Sequence, residues 1–150
     1  MKTSGDTIAI KTKFSTTIEK VWSAWTEPML ISQWFGSDPA GKVLTAELDV
    51  RPGGRFEISF KDSNGSEHTC SGVYKDVELN SKLSFTWLWK NEPGIQSFVT
   101  VLLISEGNTT LMQFEHTNLG YTSAHNYMKG WNDTFLKLER MLTAASFIQG

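Results

Sequence analysis

The chemistry that this sequence offers rests on a few polar side chains set among apolar ones. His116 ends a strand-like stretch of alternating apolar residues, where an imidazole can hydrogen-bond a ligand or act as acid or base near neutral pH. Cys70 becomes a nucleophile only where a neighbouring base lowers its pKa, and His68 is the nearest base in the sequence. A hydrogen-bonded core histidine and a small buried cysteine are the structural alternatives, and both stay open. The other polar candidates are aromatic hydroxyl and indole groups: Tyr74, Tyr127, Trp87 and Trp131.

Motifs for metal binding and for common catalytic machinery are missing from the sequence. The three histidines lie in different segments without paired ligand spacing, and neither Cys-x-x-Cys nor His-Glu-x-x-His occurs. Asp62-x-Asn64-Gly65 is similar to the start of a calcium loop, but the twelfth position of such a loop falls on Val73, so a hairpin turn explains it better. We therefore predict no metal and no cofactor.

Length and composition describe a single domain. The chain has 150 residues, of which 39% are hydrophobic and 20% charged, and the net charge is -2. These values predict one soluble globular domain over residues 1–150 with one core. Charges of both signs are interspersed, which argues against nucleic-acid binding. Residues 1–6 lack an apolar signal core, and no apolar run is long enough for a bilayer. We expect a cytoplasmic protein without membrane insertion.

The chain opens with a strand and two short helices. Thr7 to Phe14 alternates as a half-buried strand does. Thr16 and Glu19 match a capping box, which places a helix start near Thr17. A second helix is predicted from Pro28, with Gly36 as its C-terminal cap.

The middle of the chain shows no helical period. Six strands are predicted, separated by Gly, Asn, Pro and Ser clusters, and their short connections permit only hairpins, as in an antiparallel meander. The sheet has seven strands if the opening strand joins it. The six are Leu44 to Val50, Arg55 to Lys61, Glu67 to Val77, Lys82 to Trp89, Ser97 to Glu106 and Thr109 to His116.

The last segment predicts one long helix from about Ser123 to Phe147 with an apolar side. Gly130 in its interior suggests close approach of a neighbouring backbone, and Leu136 points away from the apolar side. The fold class is therefore α+β, with a curved antiparallel sheet wrapped around the C-terminal helix. The apolar side carries Tyr127, Trp131, Phe135, Leu138, Met141, Leu142 and Ala145.

Several short motifs in this order resemble a known family. The chain is similar to the START-like (helix-grip, birch-pollen-allergen-like) superfamily, in the branch of homologues of the activator of the ninety-kilodalton heat-shock chaperone ATPase. The resemblance covers nearly the whole chain and implies the helix-grip fold. The motifs are Val21-Trp22, Trp25-Thr26, Pro28, Trp34, Asp49-Val50-Arg51-Pro52-Gly53-Gly54, Phe56, Gly72-Val73-Tyr74, Val77, Phe85-Thr86-Trp87, Thr110-Leu111, and Gly130-Trp131 ahead of Leu138.

The resemblance implies one fold but several kinds of function, because the superfamily includes carriers of lipids and other hydrophobic molecules, cyclases, hydrolases and a co-chaperone domain. Our first hypothesis is binding of a hydrophobic or aromatic small molecule between the sheet and the C-terminal helix. Interaction with a heat-shock ATPase is the main alternative, and a cyclase- or hydrolase-like enzyme in the same cavity is a further one. A homodimer is an open partner alternative.

The predicted ligand-binding residues follow from which side chains share an inward face. Strand parity groups most of them on four strands, those of the Glu67 strand on the condition that its apolar side faces in. The apolar side of the last helix adds Tyr127, Trp131 and Phe135, whereas on the Ser97 strand both faces are apolar and parity does not decide. Whether these side chains line a cavity or fill the core is undecided by periodicity. The residues are Phe56, Ile58, Phe60, Cys70, Tyr74, Phe85, Trp87, Trp89, Met112, Phe114, His116, Tyr127, Trp131 and Phe135.

Overall fold

A computed structural model describes residues 7–90, 96–118 and 127–149. At residues 127 and 144–149 it describes the backbone only. A strand and two short helices precede six strands and a long helix. The elements are β1 (Ile8–Phe14), α1 (Ile18–Thr26), α2 (Pro28–Ile31), β2 (Lys42–Leu48), β3 (Arg55–Lys61), β4 (Glu67–Glu78), β5 (Lys82–Trp89), β6 (Gln96–Glu106), β7 (Thr109–Thr117) and α3 (Tyr127–Gln149).

The seven strands form one antiparallel sheet in the order β1-β7-β6-β5-β4-β3-β2. Strands β2 to β7 are consecutive neighbours, as short hairpin connections require. Strand β1 joins the far edge by pairing with β7, with Ile8 opposite His116 and Phe14 opposite Thr110. The α+β helix-grip fold, the six-stranded meander and the seven-stranded sheet are confirmed.

One face of the sheet carries the core. On β3 and β5 the side chains that alternation predicts to face inward are buried, and on β7 His116 is buried with them. Strand β6, which parity left undecided, buries Val99, Val101 and Leu103 and leaves Phe98 and Leu102 only partly buried. Its register explains the choice, since Val99 lies opposite His116 on β7 and shares its face.

Two predicted helix caps are wrong. The N-cap of α1 is Thr17, whose side chain makes no capping hydrogen bond, and not the predicted residue Thr16. Thr16 is buried, and its carbonyl accepts a hydrogen bond from the Thr110 hydroxyl. Helix α2 ends at Ile31 with Ser32 as its C-cap. Gly36 lies beyond that cap with φ +101°, and an added Cβ would lie 3.1 Å from the Phe60 ring. Contacts with the sheet therefore decide both positions.

Strand boundaries differ from prediction by one or two residues. Strand β2 runs over Lys42–Leu48, because Asp49 already belongs to the turn, where its carboxylate pairs with Arg51 at 2.9 Å. Strands β4 and β7 each extend one residue further than predicted, and β6 begins one residue earlier. The predicted connection from Asn91 to Gly94 and the predicted helical residues 123–126 lie outside the described residues.

The long helix α3 docks on the sheet through aromatic contacts and one hydrogen bond. The rings of Trp131 and Phe135 lie 4.6 and 5.0 Å from that of Phe114 on β7, measured between centroids. The Trp131 indole N–H donates to Nδ1 of His116 at 3.0 Å. Since an indole only donates, the His116 proton is on Nε2, which donates to the Ser97 hydroxyl at 2.7 Å. Burial lowers the His116 pKa to about 3, so this imidazole is neutral.

We predict that this histidine makes stability fall in mild acid. In the folded chain His116 stays neutral down to about pH 3, whereas the ordinary value, 6.5, applies once it unfolds. Between pH 3 and pH 6.5, His116 is therefore protonated in the unfolded state and neutral in the folded state. Its contribution to the free energy of unfolding is complete above pH 6.5 and declines by roughly 1 kcal/mol per pH unit as the pH falls toward 3.

Urea denaturation between pH 7 and pH 5 measures this decline. The variant His116→Gln is the control, because it retains every other titrating group, and it should lose less stability over the same range. Equal losses of stability in the two proteins would contradict the conclusion that the buried, neutral His116 causes the decline.

A second prediction concerns Gly72 on β4. A Cβ added there would overlap the backbone carbonyl oxygen of Thr86 and would lie 2.7 Å from the Phe56 ring. Neither neighbour is a flexible chain end, so Gly72→Ala should destabilise the fold by at least about 3 kcal/mol, measured by urea denaturation. Gly130→Ala is the matched control. It should be neutral or stabilising by up to about 1 kcal/mol, because alanine is the better helix former and the nearest atom lies at 3.9 Å. Equal changes in stability for the two variants would show that the close approach of Thr86 and Phe56 at Gly72 does not exclude a side chain there.

Candidate functional site

A pocket of about 290 Å³ lies between the start of α3 and the ends of β3, β4 and β5. It is partly open to solvent and combines an aromatic wall with polar side chains. Its described lining consists of Phe35, Gly36, Ser37, Phe60, Asp62, His68, Trp87, Trp89, Lys129, Gly130, Trp131, Asp133 and Thr134.

Five buried aromatic side chains make the wall continuous. The ring of Trp87 lies 5.8 Å from Phe35, 5.2 Å from Trp89 and 5.3 Å from Trp131, between centroids. Phe60 completes the wall at 5.6 Å from Phe35 and 6.0 Å from Trp89. Because each ring is held by at least two others, the wall is a packed apolar surface against which a flat molecule can lie.

Two hydrogen-bonded pairs of side chains form the polar edge of the pocket. On the sheet side, Nε2 of His68 lies 2.8 Å from a carboxylate oxygen of Asp62, and both side chains are 25% exposed. On the helix side, Nζ of Lys129 lies 2.7 Å from Asp133, one turn further along α3. Each carboxylate at the edge thus has a nitrogen partner, and both pairs offer hydrogen-bonding groups to the pocket.

Gly130 keeps the helix side of the pocket open. A Cβ at this position would find the Ser37 side chain at 3.9 Å and nothing closer outside its own helix. The predicted close approach of a neighbouring backbone is therefore wrong, and the space beside Gly130 belongs to the pocket.

The loop facing Gly130 is held by charged groups. Lys137 on α3 donates from Nζ to the carbonyls of Gly36 at 3.1 Å and Asp38 at 3.0 Å. The Asp38 carboxylate accepts from the amide and hydroxyl of Ser63, and these hydrogen bonds lower its pKa to about 2. This loop forms one wall of the pocket, so Lys137 and Ser63 fix the wall without lining it.

A much smaller void of about 10 Å³ lies deeper, on the far side of Phe35 and Trp87, which line both spaces. Trp25 also borders it, and the indole N–H groups of Trp25 and Trp87 are buried without a hydrogen-bond partner in the described part of the chain. The void is close to the smallest space that holds one water, so it is a packing gap rather than a ligand site.

The predicted site residues fall into three groups. Phe60, Trp87, Trp89 and Trp131 line the pocket, whereas Phe56, Ile58, Tyr74 and Phe85 border the small void. The side chain of Tyr127 lies outside the described residues. The remaining side chains are buried in the packed core: Cys70, Met112, Phe114, His116 and Phe135.

The two candidate catalytic groups of the sequence are both buried away from the pocket lining. Burial raises the pKa of the Cys70 thiol well above its ordinary value, which keeps it protonated and unreactive. His116 uses both ring nitrogens for Trp131 and Ser97. Their surroundings match the structural alternatives, a buried cysteine and a hydrogen-bonded core histidine.

Sequence reasoning missed much of the polar lining. Lys129 and Asp133 lie four residues apart on the polar side of α3, a pattern typical of a solvent-exposed pair. His68 and Asp62 flank a turn, and their spacing matches no motif. Phe35 follows α2, where a helix end was expected. The predicted aromatic residues and the glycine inside the helix, Gly130, were the sequence signals that pointed to this place.

None of the helices within the described residues is both long and apolar enough to cross a membrane. No three His, Cys, Asp or Glu side chains within 7–90, 96–118 and 127–149 come together as metal ligands would.

Comparison with solved structures supports the fold. A Chromobacterium violaceum protein aligns with a TM-score of 0.82 at 18% identity, over 91% of this chain and 97% of that one. The AHSA1-like protein of Aeromonas hydrophila gives 0.80 at 24% identity, over 94% of each chain. A Mesorhizobium loti protein gives 0.72 at 27% identity, over 93% of this chain and 98% of that one. A search of curated proteins gave no match.

The comparison with family models decides the classification. Residues 15–143 match the family described as "Activator of Hsp90 ATPase homolog 1-like protein", which is most of the chain and includes α1, the six-stranded meander and most of α3. The resemblance carried by the tryptophan, glycine and turn motifs is thereby confirmed. The chain belongs to the family of activator of Hsp90 ATPase homologue 1-like proteins.

Proposed function

We propose that this protein binds a small, planar hydrophobic or aromatic molecule in the pocket between α3 and the ends of β3 to β5. The observation that carries the proposal is the continuous wall of five aromatic side chains around about 290 Å³ of open space. Ligand sites in proteins are typically concave, mostly apolar and supplied with a few polar groups. This pocket has all three properties.

The size of the pocket limits the ligand. Its volume lies at the lower end of the range of small-molecule sites, roughly 300 to 1,000 Å³. Two fused aromatic rings with one or two substituents fit such a space and can lie flat against the aromatic wall. The proposal is therefore a compact aromatic ligand.

Burial of the two candidate catalytic groups, Cys70 and His116, favours binding over catalysis as the function of the pocket. The Cys70 thiol is protonated, and His116 is neutral with both nitrogens engaged, so neither has the accessible reactive group that covalent or acid–base catalysis needs. The lining itself consists of aromatic rings, hydroxyl groups and the pairs Asp62–His68 and Lys129–Asp133, to which this proposal assigns recognition of the ligand.

Interaction with a chaperone ATPase is the second candidate, and the family description is the observation that favours it. It has a direct test, which is the rate of ATP hydrolysis by Hsp90 with and without this protein. A pocket-blocking variant distinguishes the two functions, because it should leave an effect exerted through another surface unchanged.

We predict that filling the pocket abolishes binding without harming the fold. Gly130→Leu places a branched side chain in the open space opposite Ser37, and leucine is also the better helix former. Binding of 2-methoxynaphthalene, measured by equilibrium dialysis, should weaken at least tenfold, because the leucine occupies the volume of the ligand.

The control adds the same side chain elsewhere on the same helix. Asn132 is exposed and does not line the pocket, so Asn132→Leu should bind the probe as the unmodified protein does. If both variants bind with unchanged affinity, the ligand does not occupy this pocket. If the unmodified protein binds neither this probe nor naphthalene nor 2-naphthol, the proposed function fails.

A further inference from the structure

We infer that the Asp62–His68 pair is a hydrogen-bond acceptor site inside the pocket, and that the ligand is an aromatic molecule carrying a ring hydroxyl, as in a phenol or a stable enol. This inference rests on the proposed function and specifies the chemistry of its ligand. It concerns two side chains to which the sequence patterns assigned no role.

The pair is fixed in position by its surroundings. The His68 ring lies 5.2 Å from the Phe60 ring and 6.1 Å from the Trp89 ring, between centroids, and both of these aromatics belong to the pocket wall. Register explains the arrangement, because Phe60 on β3 lies directly opposite His68 on β4. Asp62 follows one residue after β3 and closes the turn by donating its amide to the Ser66 carbonyl.

Asp62 determines which nitrogen of His68 carries a proton. A carboxylate only accepts hydrogen bonds, so Nε2, which lies 2.8 Å from the Asp62 oxygen, carries the N–H. In the neutral ring Nδ1 is then a bare acceptor. Nδ1 makes no hydrogen bond within the described residues, and the second carboxylate oxygen of Asp62 is another acceptor on the same edge.

The chemistry of this edge selects the polar group of the ligand. Two acceptors beside an aromatic wall favour a ligand whose ring plane lies on Phe60 and Trp89 and whose hydroxyl donates toward the pair. Hydrogen bonds to charged or charge-polarised groups are roughly twice as strong as neutral ones. An aromatic hydroxyl can donate a hydrogen bond to these acceptors and an ether of the same size cannot, so the hydroxyl is preferred.

The test compares two probes of similar size, 2-naphthol and 2-methoxynaphthalene, which differ in the hydrogen that the hydroxyl donates. Equilibrium dialysis at pH 7 should show that the unmodified protein prefers 2-naphthol by about tenfold. In His68→Phe, which retains the aromatic volume, the preference should disappear while 2-methoxynaphthalene still binds. In Asp62→Asn, which suits the turn and keeps the shape, the preference should shrink.

The outcomes separate this inference from the proposed function. Equal affinities for the two probes in the unmodified protein, or a preference that survives in both variants, would overturn the role of the pair while leaving the aromatic pocket intact. Binding of neither probe by the folded protein would overturn the proposed function and this inference with it. Thermal unfolding of each variant verifies that it is folded before dialysis.

Discussion

The indole N–H of Trp131 donates to Nδ1 of His116, and this hydrogen bond ties the long helix to strand β7 of the sheet. It lies within an aromatic cluster that joins α3 to β5 and β7, where the Trp131 ring lies 5.3 Å from Trp87 and 4.6 Å from Phe114. Burial keeps the imidazole neutral, so the bond costs no buried charge. The position of α3 over the sheet, and with it the pocket, depends on this contact.

The pocket follows from where this contact lies along the helix. Beyond Trp131 the helix buries Phe135, Leu138 and Leu142 in the core, and the sheet and helix are tightly packed. Before Trp131 comes Gly130, which has no side chain to fill the space that opens toward Ser37. Trp131 thus belongs both to the core and to the pocket wall. An apolar wall and a hydrogen-bonding edge arise at this transition.

Much of the fold could be predicted from the sequence, because period-two alternation and turn residues fix the strands and their faces. Strand β6 could not be oriented, since Val99 and Phe98 are both apolar and only pairing with β7 decides between them. The caps of α1 and α2 could not be predicted either, because tertiary contacts of Thr16 and Gly36 override the local pattern.

The candidate site could be predicted only in part. The interior side chains were identified, but alternation does not reveal where helix and sheet separate. The polar edge was missed because Asp62 and His68 meet across a turn, and because Lys129 and Asp133 have the spacing of an exposed helix pair.

The central claim is that an aromatic ligand occupies the space in front of Trp131. The chain has six tryptophans, and their indole N–H signals in a ¹H–¹⁵N correlation spectrum report on each one separately. With saturating 2-methoxynaphthalene, we expect the signals of Trp87, Trp89 and Trp131 to shift, because their rings form the wall. The signal of Trp34, whose N–H donates to the Ala24 carbonyl within the helical layer, should stay in place. Unchanged wall signals together with a shift at Trp34 would contradict the account and move the binding site elsewhere in the molecule.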